Sequence, residues 1–92
     1  MILSGKKALV TGGAARIGQA LCLALADAGC DVVVHYRRSR RAAEDLAARI
    51  RRQGHRAVAL SADLTRPADC RRLIAAARRK LGGLDILVNN AA

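Results

Sequence analysis

Thr11-Gly12-Gly13-Ala14-Ala15-Arg16-Ile17-Gly18 is the stretch whose reading decides the fold. Ahead of it runs Lys7-Ala8-Leu9-Val10, a short apolar run ending at a glycine pair, as a buried strand would. Behind it, Ile17, Ala20, Leu21, Ala24, Leu25 and Ala28 recur at three- and four-residue steps, which predicts a helix with that stripe inward. A strand that turns through glycines into a helix aims unpaired backbone N–H groups at one point. The positive end of the helix dipole lies there too, so the turn suits a phosphate. Gly12 permits the tight turn, and Gly18 lets a helix or ligand approach without a Cβ between. The spacing Gly-x-x-x-Arg-x-Gly is not the Gly-x-Gly-x-x-Gly dinucleotide fingerprint, so the turn alone does not separate a binding loop from a plain connection.

The remaining chain decides between them. Ala28-Gly29 stops the first helix, and Asp31-Val32-Val33-Val34-His35 begins a β-branched second strand. Ser39 can cap a second helix with Ala43, Leu46, Ala47 and Ile50 inward, ended by Gly54. Ala57 to Leu60 is a third strand. Thr65 and Pro67 open a third helix with Cys70, Leu73, Ile74, Ala77 and Leu81 on its inner face. Gly82-Gly83 stops it, and Leu84 to Val88 is a fourth strand running into Asn89-Asn90-Ala91-Ala92. The order β-α-β-α-β-α-β predicts an α/β fold, a partial Rossmann (doubly wound parallel) sheet with right-handed crossovers.

In such a sheet ligands bind beyond the carboxyl ends of the strands. Those ends are Thr11-Gly12, Tyr36-Arg37, Asp63-Leu64 and Asn89-Asn90, and every polar or glycine-rich signal falls at one of them. After strand two, an Asp or Glu would take the free ribose 2′-OH of NAD. This chain reads His35-Tyr36-Arg37-Arg38-Ser39 with no acid, so Arg37, Arg38 and Ser39, joined by Arg16, can instead hold the 2′-phosphate of NADP. Asp63 can accept an adenine amino group, cap the next helix or hold a loop. The amides of Asn89 and Asn90 can bridge loops or line a cofactor. His35 and His55 have no partner carboxylate or nucleophile in sequence, and read as structural or solvent-facing.

Composition narrows the classes. Ninety-two residues make at most one small domain, and 52% hydrophobic content permits a core. Alanine supplies much of that figure and Tyr36 is the one aromatic, so the core should be shallow. No apolar run reaches the ~18 residues of a membrane span, and the start is too short in apolar residues for a secretory segment, which makes a cytoplasmic setting the expectation. Cys22, Cys30 and Cys70 lack Cys-x-x-Cys spacing and read as buried small hydrophobes, with no metal site expected. A net charge of +10 raises nucleic acid as a partner. The arginines sit singly or in pairs on what should be the outer faces of two helices, without interleaved aromatics, which argues for a solvated basic surface.

With these residues in place, the chain resembles the short-chain dehydrogenase/reductase family from about Lys6 to Ala92. Thr11-Gly12 through Gly18 is similar to its Thr-Gly-x-x-x-Gly-x-Gly turn, Asp63-Leu64 to its Asp-Val/Leu, and Asn89-Asn90-Ala91 to its Asn-Asn-Ala-Gly. Arg16 replaces the middle glycine and Ala92 the last. Arg16 with the His35-to-Ser39 run is most similar to the pteridine reductase branch, which uses NADPH. The resemblance implies a cofactor site of Gly12, Ala15, Arg16, Ile17, Gly18, Tyr36, Arg37, Arg38, Ser39, Asp63, Leu64, Asn90 and Ala91. In it Arg16, Arg37, Arg38 and Ser39 hold the 2′-phosphate, Asp63 and Leu64 the adenine, and Asn90 and Ala91 the nicotinamide-side ribose. It implies hydride transfer from NADPH to a carbonyl or pteridine-like imine, and homo-oligomers.

The family's catalytic serine and Tyr-x-x-x-Lys have no counterpart here: Tyr36 is followed four residues on by Arg40. Residues 1–92 are therefore expected to be the NADP-binding half of a Rossmann domain, truncated after strand four and inactive alone. Strand order 3-2-1-4 would leave strand four as an apolar edge guarded by Asp85, open to self-association. The rival readings are a basic nucleic-acid-binding module and a stand-alone nucleotide-binding module without chemistry.

Overall fold

The computed structural model describes residues 2–91. It contains β1 (Lys7–Val10), α1 (Arg16–Asp27), β2 (Asp31–Tyr36), α2 (Arg40–Arg52), β3 (Ala57–Ser61), α3 (Pro67–Leu81) and β4 (Ile86–Val88). The strands form one parallel sheet in the order β3-β2-β1-β4. The alternation expected from the sequence holds, and each element lies within two residues of its predicted bounds.

The sheet sorts its side chains by parity. Val10, Val32 and Val34 point to one face and pack with Cys22 and Ala26 of α1 and Ala43, Leu46, Ala47 and Ile50 of α2. Leu9 and Val33 point to the other, where Leu73, Ala77 and Leu81 of α3 cover them. Among the described residues, helix α3 covers that face alone. Cys70 and Ile74 on its flank are consequently only half-buried, and they line an apolar hollow with Leu9, Leu64, Leu73 and Leu87. The core is thin as expected, with alanine at nine of its twenty buried apolar positions among the described residues and no aromatic ring.

Helix α1 turns a different face inward from the one its leucines suggested. Gly18, Cys22 and Ala26 are buried, Leu21 and Leu25 flank them, and Ile17, Ala20, Ala24 and Ala28 are exposed. Small residues at four-residue steps let the helix sit close on the sheet and the glycine turn. An inward Ile17 would hold it away.

The helix starts also differ from expectation. Ser39 occupies the N-cap position of α2, and its hydroxyl makes no cap bond. Helix α3 begins at Pro67 behind Arg66, because the Thr65 hydroxyl donates to Asp63 Oδ1 at 2.6 Å. Strand β4 is shorter than predicted because Asp85 works as a clasp. Lys7 N–H donates to its Oδ2 at 2.9 Å, and Asp85 N–H donates to the Lys7 carbonyl at 2.8 Å. Regular pairing then starts at Ile86 opposite Ala8. All fourteen arginines are exposed. Among the described residues, no helix is long and apolar enough to cross a membrane, and no cluster of three His, Cys, Asp or Glu side chains could hold a metal ion.

Candidate functional site: the crevice at the strand ends

The carboxyl ends of β1 and β2 diverge around a hollow of about 390 Å³ lined by Gly12, Ala14, Ala15, Tyr36, Arg37, Arg38 and Ser39. Three strand ends are fastened beneath it. Gly12 adopts φ +64°, a conformation that side chains resist, so the chain can reverse directly after Thr11. Gly18 fits beneath the same turn. A Cβ there would collide with the Gly12 carbonyl oxygen and come within 2.8 Å of Gly13 Cα. Its close approach therefore serves helix-to-turn packing.

The two buried polar side chains among the described residues, Thr11 and His35, fix the turn from opposite sides. Thr11 Oγ1 accepts from Asn90 N–H at 2.9 Å and Ala91 N–H at 3.1 Å, and its own proton faces Val88 O and Asn89 Oδ1, each 3.3 Å away. Asn90 Nδ2 donates to the Gly12 carbonyl at 3.2 Å. Of the two roles open to these amides, loop bridging is the one formed. On the other side His35 Nδ1 accepts from Gly12 N–H at 3.0 Å, and the His35 carbonyl accepts from Gly13 N–H at 2.9 Å.

The glycine N–H groups are thus consumed internally, contrary to the expectation that the turn leaves them unpaired. The first ladder bond of α1 runs from Gln19 N–H to the Ala15 carbonyl at 2.7 Å. The N–H groups of Arg16, Ile17 and Gly18 in its first turn are the ones without intrahelical partners, and they gather at the positive helix end.

Arg37 Nη2 lies 3.3 Å from Asp63 Oδ2. Asp63 also accepts at Oδ1 from the Thr65 hydroxyl and, at 3.0 Å, from Thr65 N–H. The Thr65 hydroxyl first, then its N–H, holds the Asp63 carboxyl below the usual carboxylate range against some desolvation, and Arg37 and Arg66 add to the lowering. Asp63 therefore holds the β3–α3 loop while its Oδ2 stays beside Arg37. Its own N–H is taken by Asp69 Oδ2 at 2.9 Å.

The structure gathers Gly12, Ala15, Tyr36, Arg37, Arg38 and Ser39 around one hollow, with Asp63 at its rim through Arg37. Asn90 and Ala91 adjoin Gly12 on the β4 side. Arg16 and Ile17 line a separate hollow with Ala20, and Leu64 lies in the apolar one under α3. Ala92 is outside the described residues. Thr11 and His35 carry more of the geometry than sequence reading assigned them. Their signal was a hydroxyl and an imidazole, each ending a β-branched or aliphatic strand.

The pattern of the short chain dehydrogenase family matches residues 6–92. Among curated proteins, the chain is 43% identical over 89 residues to hydroxynaphthalene reductase-like protein Arp2 of Metarhizium robertsii, covering 97% of this chain and 33% of that one. It is 44% identical to versicolorin reductase 1 of Aspergillus parasiticus, covering 97% and 34%. The chain thus spans about a third of the length of these relatives.

Among solved structures, a short chain dehydrogenase from Burkholderia cenocepacia in complex with NADP superposes with a TM-score of 0.95 at 43% identity, over 100% of this chain and 38% of that one. FolM alternative dihydrofolate reductase 1 from Brucella canis, complexed with NADP, gives 0.91 at 39%, over 100% and 37%. Because the family match runs unbroken through the glycine turn, the arginine-bearing end of β2 and the Asn89-Asn90 end of the sheet, this chain belongs to the short chain dehydrogenase family.

Proposed function

We propose that this chain is the NADP(H)-binding, N-terminal half-domain of a short-chain reductase whose complete form passes hydride from NADPH to a carbonyl or pteridine-like imine. One observation carries the cofactor choice: Arg37, Arg38 and Ser39 line the same hollow as Gly12 and Ala15, and no acid lines it. A 2′-phosphate there meets two guanidinium groups and a hydroxyl that capping leaves unused. The Arg37–Asp63 pair is half-exposed on the arginine side, and exposed pairs are worth roughly 0–1 kcal/mol, so turning Arg37 to a phosphate dianion costs little. Similar structures that hold NADP support the reading.

When bound, NADPH supplies the hydride; the residues here bind and orient its adenosine end. The first-turn N–H groups of α1 would hold the pyrophosphate, and Asp63 Oδ2 would accept from the adenine amino group. Asn90 and Ala91 would hold the ribose on the nicotinamide side. Tyr36 lies in the adenosine hollow, so it is not offered as a proton donor. The reaction is proposed for the complete protein, since the chain spans about a third of its relatives. The pteridine reductase branch is proposed on Arg16 and the His35-to-Ser39 run. The 39% identity to the Brucella reductase is in keeping with it, although reductases of other names reach 43–44%. Self-association through the edge of β4, which pairs on its outer side with no strand among the described residues, belongs to the same proposal.

Titration with NADPH and NADH tests the site. Arg37→Ala should weaken NADPH by about 1.5–3 kcal/mol, one charge-assisted contact, and leave NADH nearly unchanged. Equal affinity for both cofactors in the unaltered protein, or an unchanged preference in Arg37→Ala, would refute it.

A further inference from the structure

His35 sits in β2 at 2% exposure, and its ring has two polar contacts. Nδ1 stands 3.0 Å from Gly12 N and Nε2 stands 2.9 Å from Ala62 O. A backbone N–H can only donate and a carbonyl can only accept. Nδ1 is therefore bare and Nε2 carries the proton, so a single neutral tautomer satisfies both contacts. The other tautomer would set two donors face to face at Gly12 and two lone pairs face to face at Ala62.

The ring joins the β1–α1 turn to the end of β3 across β2. At the turn, His35 takes both successive glycine N–H groups, one on its ring and one on its carbonyl. The Gly12 carbonyl is left to face Ala15 N–H, 3.2 Å away, which sets where α1 begins. At the other end Ala62 immediately precedes Asp63, the residue beside Arg37. Thr11 performs the corresponding work on the β4 side only. No other side chain among the described residues accepts from the Gly12 N–H.

We propose that His35, as its Nε2–H tautomer, is the positioning residue of the phosphate-binding turn. Through Gly12 it aims the first-turn N–H groups of α1, so affinity for a dinucleotide depends on it whether or not a 2′-phosphate is present. The assignment rests on the cofactor reading above and differs from it in consequence: Arg37 governs the choice between NADPH and NADH, and His35 governs both together.

Three substitutions separate the two contacts. His35→Asn places an amide oxygen near the position of Nδ1 and keeps an acceptor for Gly12. His35→Gln reaches Ala62 and offers Gly12 none, and His35→Leu removes both. Titration of the protein with NADPH and with NADH should show about a tenfold loss for Leu and Gln, the loss of one hydrogen bond to a buried donor. The loss should be equal for the two cofactors, with Asn recovering most of it. Nitrogen NMR of the unaltered protein should show a bare Nδ1 and a protonated Nε2, with the Gly12 amide slow to exchange. This measurement decides even if the variants fold poorly. An Nδ1–H tautomer, unchanged affinity in His35→Leu, or a loss confined to NADPH would overturn the assignment. Unaltered protein that binds neither dinucleotide would instead overturn the cofactor reading.

Discussion

Gly18→Ala sets two effects against each other at one atom. On helix propensity alone, alanine in place of glycine in α1 should stabilise by up to about 1 kcal/mol. The turn opposes it. The added Cβ would overlap the Gly12 carbonyl oxygen and stand 2.8 Å from Gly13 Cα and 2.9 Å from Gly12 C. These three nearest atoms are backbone, held by the His35 and Asn90 bonds to Gly12. Overpacking of this kind costs about 1–3 kcal/mol, with rigid surroundings favouring the upper end. The net expectation is a loss of about 2 kcal/mol, which in a domain this small lowers Tm by roughly 8–16 °C. Urea and thermal unfolding of Gly18→Ala measure it. Ala20→Gly on the exposed side of the same helix supplies the propensity term separately, at about 1 kcal/mol of destabilisation. Gly18→Ala should also weaken dinucleotide binding, since relief of the clash moves the first turn of α1 outward. An unchanged or raised Tm would show that the turn yields freely, and the account of a tightly fastened crevice would fail with it.

Three further outcomes follow from the same contacts. Cys22 is fully buried with its thiol pushed up to about 12, and burial, then the charges of Asp31 and Asp85, raises buried Cys30; half-buried Cys70 should therefore be the one thiol that iodoacetamide labels in native protein, with all three labelled in urea, and rapid native labelling of Cys22 would contradict the packing of α1. The carboxyls of Asp63 and Asp69 are both lowered on folding, chiefly by the Thr65 hydroxyl and by the Asp63 N–H respectively, so their stabilisation is complete above the unfolded carboxylate value near pH 4 and is lost as pH falls through the lower folded values; a Tm profile from pH 6 to 3 should steepen there, and less so in Asp69→Asn. Leu87→Lys should shift any β4-mediated association toward monomer in sedimentation, and an unchanged distribution would remove that edge as the contact.

Much of the fold was legible because glycines and strand composition punctuate it. The β-branched run at Val32–Val34 reads as a strand, and the structure buries it on both faces; Gly82 ends α3 in the left-handed conformation. Strand order was legible through the family resemblance. The inward face of α1 was not. Apolar residues almost encircle that helix, so periodicity favoured the large side chains, whereas closeness to a glycine turn selects small ones. The position of Gly18 in the turn motif already held that information. What it lacked was the distance to Gly12, a tertiary quantity.

The site divides along the same line. Residue types suited to a ligand's charge could be read directly, because an absent acid and two arginines after β2 have a chemical meaning in the sequence alone. Residues that hold the backbone could not, since their partners lie far along the chain: Thr11 answers to Asn90 and Ala91, and His35 to Gly12 and Ala62. The same distinction explains why the glycine N–H groups are paired rather than free. A local reading counts the donors that a turn exposes, whereas the folded chain first spends donors on whatever acceptors the neighbouring strands bring alongside. In this sheet β2 supplies both acceptors from one residue. The N–H groups that stay free lie one turn forward, at the start of α1, where helix geometry leaves those of Arg16, Ile17 and Gly18 without partners in the helix.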